Sequence, residues 1–371
     1  MQTVPIARYF RKIYTNIATH IYDRPPRTLA FLIIIMLSIL PYSGMDLIKL
    51  EILTSANLIA ILAASWDLLV GRTGQISLGH ALFFGLGAYT TALFIKYLGW
   101  PFWITIPISV IVGAGVALTI GIPCLRLKGP YLALVTMAFP LALQGFLYYY
   151  RDIFGGETGI GLPKIFPGLR FFDRIVANYY LSLALLVLSS IIIYKIATSK
   201  TGIIFISILD DEIGAKACAI NTTKYKLMSL AISGLFGSLA GAFYGHIVSG
   251  SANPRLFVDT TALMPMEFSL IPIIAAVLGG VGTIYGPIVG VYIYQILYRY
   301  ILRDVITFNI FGYIVTVDRH MQLFIFISFI VLLIVKWPRG VARAIVEKLE
   351  DLEEPRELEE ILKEKTESKQ M

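Results

Sequence analysis

Long runs of apolar residues alternate with short polar or glycine-rich segments along most of the chain. Runs of roughly 17–25 apolar residues have the length that an α-helix needs to cross a lipid bilayer. The runs are continuous, whereas a membrane β-barrel shows ~10-residue stretches of alternating polarity. The pattern therefore predicts an all-α, polytopic membrane protein with about ten spanning helices. They are predicted near residues 28–44, 52–70, 79–98, 102–122, 131–150, 178–197, 227–249, 265–280, 283–300 and 321–336.

Glycine-rich segments interrupt this pattern at two places. The first is GRTGQISLGHALFFGLGAY (Gly71–Tyr89), and the second is GGVGTIYGP (Gly279–Pro287). Unpaired backbone groups are costly in lipid, so a broken helix is tolerated where it is buried in protein or lines a water-filled cavity. Transporters place substrate paths at such breaks. A cytoplasmic turn followed by a glycine-rich packing face accounts for the first segment equally well.

Composition and charge support a membrane location. The chain has 371 residues, of which 57% are hydrophobic and 15% charged, and its mean hydropathy is +0.76. The net charge of +7 comes from basic residues beside apolar runs, which is typical of cytoplasmic anchors and does not indicate nucleic-acid binding. Both termini are therefore predicted to be cytoplasmic, with the protein in the cytoplasmic membrane. The basic residues that set this orientation are Arg8, Arg11, Lys12, Arg24 and Arg27 at one end and Lys336, Arg339 and Arg343 at the other.

Three parts of the chain are predicted from these patterns. Residues 1–27 form a basic cytoplasmic or interfacial segment, residues 28–340 a transmembrane domain, and residues 341–371 a charged cytoplasmic tail. Inside the second part, residues 198–226 form a long inner loop in which acidic residues are followed by small ones. This loop is predicted to form short helices on the membrane surface. They are either a contact for a partner protein or an ordinary surface feature.

Catalytic and metal-binding motifs are absent from the sequence. It contains no phosphate-binding G-x-x-x-x-G-K-[ST] loop, no G-x-S-x-G elbow and no H-E-x-x-H pair, so we expect no enzyme activity and no cofactor. The two cysteines and four histidines form no cluster with metal-ligand spacing, so no metal site is expected. Cys124 and Cys218 fall on predicted cytoplasmic segments, where a disulfide is not expected. Asp67 and Glu267 are acidic residues near the ends of predicted spans, where we expect them to reach an interface.

Five stretches, in consistent order, resemble the permease subunit of ABC importers for branched-chain amino acids, of the LivM type. The resemblance runs from about residue 50 to residue 300. One of these motifs alone would be weak, but five in order are specific. The stretches are GQISLGHALFFGLGAY, GPYLALVTMAF, GGETGIGLP, SILDDEIGAKACAIN and SLIPIIAAVLGGVGTIYGPIVG.

The resemblance implies a helical membrane domain of the vitamin-B12 and ribose permease kind. It implies three kinds of protein partner: a second, LivH-type permease, two cytoplasmic ATP-binding subunits and an extracytoplasmic substrate-binding protein. Membrane lipid is a further expected partner, because of the long apolar runs. By the same likeness, one group of residues would form the ATPase-coupling helix: Asp211, Glu212, Ala215, Ala217 and Asn221. A second group would lie near the translocation path: Gln75, Ser77, Gly79 and His80.

The sequence departs from the family pattern at Leu209, Ala219 and Pro272, where this family usually has other residues. These departures leave the coupling geometry and the cargo open. Branched-chain or related amino acids are the expected cargo, and an ABC permease for urea or amides is an alternative. Another is a stand-alone secondary transporter or channel for a small polar solute. Such a carrier would be driven by an ion gradient and would not need the loop of acidic and then small residues.

Overall fold

The computed structural model describes residues 35–43, 46–127, 129–156, 159–248, 256–258, 266–302, 306–310, 313–317 and 319–344. The basic segment 1–27, residues 28–34 of the first predicted helix, and residues 345–371 of the tail lie outside the described residues. Residues 35–39 and 341–344 are helical, and a short 3-10 turn covers Leu40–Ser43.

The described chain is built mainly of α-helices. They are α1 (Leu47–Thr73), α2 (His80–Leu98), α3 (Phe102–Cys124), α4 (Pro130–Tyr149), α5 (Arg151–Phe154), α6 (Phe171–Thr198), α7 (Lys200–Asp210), α8 (Glu212–Ala217), α9 (Thr222–Ile247), α10 (Glu267–Gly279), α11 (Tyr285–Leu302) and α12 (Arg319–Lys336). Four short strands accompany them: β1 (Ile160–Leu162), β2 (Leu256–Val258), β3 (Ile306–Ile310) and β4 (Tyr313–Val317).

Six helices in the described part of the chain are long and apolar enough to cross a membrane, namely α1, α2, α3, α4, α6 and α9. This confirms the predicted helical, multi-pass fold, while the count of ten spans is not confirmed. The eighth predicted span is the helix α10, whose 13 residues extend only about 20 Å at 1.5 Å per residue. Pro272 lies inside α10 without ending it, and the helix ends instead at Gly279.

Helix α1 lies at the centre of the structure and α4 at its edge. In the most apolar 18 residues of α1, 78% are buried, because α6, α9, α10 and α11 pack around it. The corresponding value for α4 is 28%, so most of that helix faces away from the protein. An apolar helix surface without protein neighbours is the surface that lipid or a second membrane subunit covers.

The two glycine-rich segments give rise to two interruptions, which we call the first break (residues 74–79, between α1 and α2) and the second break (residues 280–284, between α10 and α11). Helix α1 ends at Gly74, whose φ of 69° lets its N–H bond to the Val70 carbonyl. This left-handed conformation favours glycine and closes the last helical turn.

Small antiparallel ribbons join segments that are distant in the sequence. Strand β1 follows α5 and pairs with β2, which follows α9, in the register Ile160 to Val258 and Leu162 to Leu256. Strands β3 and β4 form a hairpin between α11 and α12, with Ile306 opposite Val317. The sequence analysis predicted none of these strands, and β1 and β2, with three residues each, are too short to show alternation.

Candidate functional site

The polar residues of the first break point into the protein. Gln75, Ser77 and His80 are 4%, 3% and 0% exposed, and Gly79 is also buried. Gly74 and Ile76, which alternate with them, are exposed. The first break is therefore a turn at the protein surface with its polar side chains turned inward, and all four residues that the resemblance assigned to the path lie together.

Gln75 connects the first break to the start of α9. Its Nε2 atom lies 2.8 Å from Thr73 Oγ1, 3.1 Å from Ser229 Oγ and 3.2 Å from the backbone oxygen of Lys226. A carbonyl oxygen can only accept a hydrogen bond, so the contact with Lys226 fixes which end of the amide carries the nitrogen. The side chain thus satisfies partners on two helices at once.

Ser77 and Gly79 hold the rest of the first break. The backbone oxygen of Ser77 accepts a hydrogen bond from Trp66 Nε1 at 2.8 Å, which ties the break back onto α1. A Cβ on Gly79 would lie 2.5 Å from the Thr136 carbonyl oxygen, so only glycine allows α4 this close. Next to it, the Leu78 N–H donates to Thr136 Oγ1 at 3.0 Å. Thr136 is therefore a site residue that the sequence did not single out.

His80 begins α2 and is fully buried. Its Nε2 atom lies 2.7 Å from Ser233 Oγ on α9, and among the described residues its Nδ1 atom has no hydrogen-bond partner. The Ala81 N–H donates to Ser269 Oγ on α10 at 3.1 Å. The first N–H groups of a helix have no partner within the helix, and here hydroxyl groups of neighbouring helices accept from them.

A small cavity of about 20 Å³ lies between the first break and α4. That is room for about one water molecule. Its wall includes Gln75, Ser77, Gly79, Thr136 and Cys124, and most of the remaining lining is leucine, isoleucine and phenylalanine. Three of the four residues that the resemblance assigned to the path, Gln75, Ser77 and Gly79, therefore border this small cavity.

The second break is held by Asp67 of α1. The two carboxylate oxygens accept from the N–H groups of Gly282, at 2.6 Å, and Ile284, at 3.0 Å. Asp67 is 0% exposed, so the expectation that it reaches an interface is wrong. The physical reason is that a broken helix frees backbone N–H groups, and inside a buried loop they need an acceptor from the protein. Glu267, at the start of α10, is exposed.

The residues assigned to the coupling helix surround α8. Two of them cap helices: Asp211 accepts from the Ile213 N–H at the start of α8, and Asn221 accepts from the Lys224 N–H at the start of α9. Ala215 is buried and Ala217 is exposed. Capping side chains satisfy N–H groups that the helix itself cannot, so these two residues fix where α8 and α9 begin.

Glu212 joins α8 to α9. Its carboxylate lies 2.7 Å from Lys226 Nζ, 2.9 Å from Lys216 Nζ and 3.3 Å from Thr222 Oγ1. The hydrogen bond from Lys226, helped by Lys216, lowers the pKa of the Glu212 carboxyl from its ordinary value of 4.5 to about 2. The carboxylate is therefore charged at neutral pH and holds the two helices together.

The family model described as "Branched-chain amino acid transport system / permease component" matches residues 48–336. The chain belongs to this family. The match begins at the second residue of α1 and ends with the last residue of α12, so it covers the breaks, α8 and all six membrane-length helices. The protein is accordingly a multi-pass membrane protein of the permease type.

Curated relatives of this permease carry different cargoes in their names. It is 29% identical to the high-affinity branched-chain amino acid transport system permease protein LivM of Salmonella typhimurium over 281 residues, which are 69% of this chain and 64% of that protein. It is 25% identical to the guanosine ABC transporter permease protein NupQ of Bacillus subtilis over 228 residues, 55% of this chain and 70% of that one.

A third relative is the probable branched-chain amino acid transport permease protein LivM of Methanocaldococcus jannaschii, 27% identical over 192 residues, 51% of this chain and 52% of that one. The chain thus spans about 64% of the length of the Salmonella relative. No solved structure matches it.

Several residues of the candidate site were not predicted from the sequence. Lys226 stands 14 positions after its partner Glu212, and no local spacing connects the two. A weak signal did exist on α9, where Ser229, Ser233 and Gly237 recur every four residues and so share one face. That face meets the first break and α2, through Gln75, His80 and Phe83.

Proposed function

We propose that this chain is a membrane-spanning subunit of an ATP-driven importer for branched-chain or related amino acids. The observation that carries the proposal is the family match over residues 48–336, together with the LivM relatives. The chain itself forms the conduit and performs no chemistry. Hydrolysis of ATP takes place on separate subunits.

The proposed assembly contains a second permease of the LivH type, two cytoplasmic ATP-binding subunits and an extracytoplasmic binding protein. The helix α8 with its flanking caps, Asp211 to Asn221, is the proposed contact for an ATP-binding subunit. The first break, with Gln75, Ser77 and Gly79, is proposed to border the path together with His80 at the start of α2. The basic residues that flank the transmembrane domain 28–340 favour cytoplasmic termini, with the segment 1–27 and the tail 341–371 on that side.

Closure of the ATP-binding subunits would move α8, and the pathway would open alternately to each side. Rigid movement of membrane helices around a fixed site is how such carriers avoid an open channel. The buried Gln75 of the first break supports this role, because its amide bonds to groups of α1 and α9 without water.

Purification of the tagged chain from its native membranes in mild detergent tests the assembly. We expect two ATP-binding subunits and a second permease to copurify in stoichiometric amounts. Calorimetry on the associated binding protein then names the cargo, since leucine, isoleucine or valine should bind and guanosine should not. Binding of guanosine instead would contradict the proposed amino acid cargo and would indicate a nucleoside, as in the name of the Bacillus relative. A chain that purifies without any ATP-binding protein contradicts the proposal.

A further inference from the structure

The surface helices α7 and α8 reach the first break through two contacts. Leu209, near the end of α7, lies against Gly74, and a Cβ on Gly74 would come within 2.9 Å of Leu209 Cδ1. The second contact runs through Lys226 of α9, which touches Glu212 of α8 on one side and Gln75 of the first break on the other. The proposed coupling helix and the proposed path are therefore joined within this one chain.

Lys226 uses two different groups for its two partners. Its ammonium donates to Glu212 Oε2 at 2.7 Å, and this side chain is only 17% exposed. Its backbone oxygen accepts from Gln75 Nε2 at 3.2 Å and from Ser229 Oγ at 2.9 Å. The Lys226 carbonyl belongs to the first turns of α9. A displacement of α8 that pulls on the Lys226 ammonium therefore acts on a helix, and not on a loop, at the point where Gln75 is bound.

We propose that Lys226 is a positioning residue that links α8 to the first break, so that the place of α8 sets the place of residues 74–79. This inference rests on the proposed function for its consequence in transport, although the link itself is a property of the isolated chain. Hydrogen bonds among buried or half-buried polar groups are strengthened by the low dielectric of the protein interior, and chains of such bonds can carry energetic coupling between two sites. Glu212 accordingly joins α8 to α9 within the chain, in addition to any contact that it makes with an ATP-binding subunit.

Lys216 offers a matched control for Lys226. Both ammonium groups bind the same carboxylate, at 2.9 Å and 2.7 Å. Lys216 lies on α8 itself, four residues after Glu212, so its ion pair stays within one helix. Loss of Lys216 therefore removes a similar ion pair without separating α8 from α9.

Spin labels on the isolated chain in lipid nanodiscs test the link without any partner. One label goes on Cys218, the exposed cysteine that ends α8, and one on Ile76→Cys in the first break, while the buried Cys124 is replaced by serine. We expect one narrow distance distribution in the parent, a clearly broader one in Lys226→Gln, and the parental width in Lys216→Gln. The exchanged pair Glu212→Lys with Lys226→Glu should restore the narrow distribution. Equal widths for Lys226→Gln and the parent would overturn the proposal.

Transport by the assembled complex tests the consequence. In proteoliposomes, Lys226→Gln should lower the number of substrate molecules taken up per ATP hydrolysed by about threefold or more, a typical size for such coupling. The conservative variant Lys226→Arg, which keeps the positive charge, should stay close to the parent. Gln75→Met should cause a similar loss, and the double variant Gln75→Met/Lys226→Gln should be no worse than either single change, because both remove the same link. Losses that multiply in the double variant would contradict a shared link.

The two experiments separate the two claims. If the parent complex shows no ATP-driven uptake, the proposed function fails, while the distances in the isolated chain still decide whether Lys226 holds the first break to α8.

Discussion

The first and second breaks both interrupt the helical pattern next to α1, yet different chemistry holds them. The first is held by neutral groups from three helices: the indole of Trp66 on α1, the hydroxyl of Thr136 on α4, and the Lys226 carbonyl and Ser229 hydroxyl on α9, which contact Gln75. The second is held by one carboxylate, Asp67, on the most buried membrane helix. The first break is therefore linked by hydrogen bonds to α1, α4 and α9, whereas the Asp67 carboxylate ties the second break to α1, and Thr283 adds hydrogen bonds within it.

Backbone conformation sharpens this contrast. In the second break Gly280 and Gly282 have φ values of 121° and 82°, and Ile284 has a φ of 65°. A branched side chain rarely adopts a positive φ and does so at a cost in energy. The N–H of Ile284 donates to Asp67, so the carboxylate offsets part of that strain. The second break thus depends on Asp67 more than the first depends on any single residue.

Replacing Asp67 should have the largest effect. Asp67→Leu leaves two buried N–H groups without acceptors, and each costs about 1–3 kcal/mol. We expect the variant to lose several degrees or more of thermal stability in detergent, measured by the unfolding temperature. The unfolding temperature of Asp67→Asn should lie between those of the parent and Asp67→Leu, because asparagine keeps one acceptor oxygen.

Glu267→Gln is the control, since this carboxylate is exposed at the start of α10. It should unfold at the parental temperature. An Asp67→Leu protein that is as stable as the parent would show that the carboxylate does not hold the second break.

Alanine substitutions of Gly71 and Gly79 should show which break is surrounded by atoms that cannot shift. The measured quantity is the loss of stability that each substitution causes. A Cβ at residue 71 would lie 2.7 Å from backbone atoms of Gly282, and one at residue 79 would lie 2.5 Å from the Thr136 carbonyl oxygen. The second break is pinned to α1, while α4 has few neighbours and can shift. We therefore expect Gly71→Ala to destabilise by about 1–3 kcal/mol, as overpacking does, and Gly79→Ala by less.

Gly115→Ala serves as the reference because nothing lies within 4 Å of its Cβ position. In that open helical site alanine should be neutral or stabilising. Denaturant or thermal unfolding of the three variants in the same detergent gives the order of their stabilities. A Gly79→Ala variant that is less stable than Gly71→Ala would reverse the comparison.

The smallest expected effect is the pH dependence of the tie between α8 and α9. The folded-state pKa of Glu212 is about 2, below its ordinary value of 4.5. A lowered carboxyl pKa means that the contribution to stability is complete above pH 4.5 and is lost as the pH falls toward 2. We expect the stability difference between the parent and Glu212→Gln to be constant from pH 7 to pH 5 and smaller at pH 3. A difference that stays the same at pH 3 would argue against the ion pair.

The apolar runs predicted most of the helices well. Residues 79–98 became α2 (His80–Leu98) and residues 102–122 became α3 (Phe102–Cys124), because glycine and proline mark the ends of both. Helix α6 starts earlier than its predicted residue 178, at Phe171, since it includes the charged residues Asp173 and Arg174 that an apolar run leaves out. Hydropathy therefore finds the part of a helix in lipid and misses its polar extension.

The contacts that shape the site could not be predicted from the sequence. Asp67 meets the second break 215 residues later, and Gln75 meets Lys226 after 151 residues. Such pairings depend on how helices pack and leave no trace in local spacing. The resemblance placed Gln75, Glu212 and His80 in important stretches, but it did not give their partners. Lys226 is the partner of both Gln75 and Glu212, and Ser233 is the partner of His80.

Uptake of radiolabelled leucine into proteoliposomes tests most directly whether this chain is a conduit driven by other subunits. The chain alone and the assembled complex are compared, each with internal ATP and each with an imposed proton or sodium gradient. The account predicts uptake only by the complex, only with ATP, and none by the chain alone under either gradient. Uptake by the chain alone, driven by an ion gradient, would contradict it.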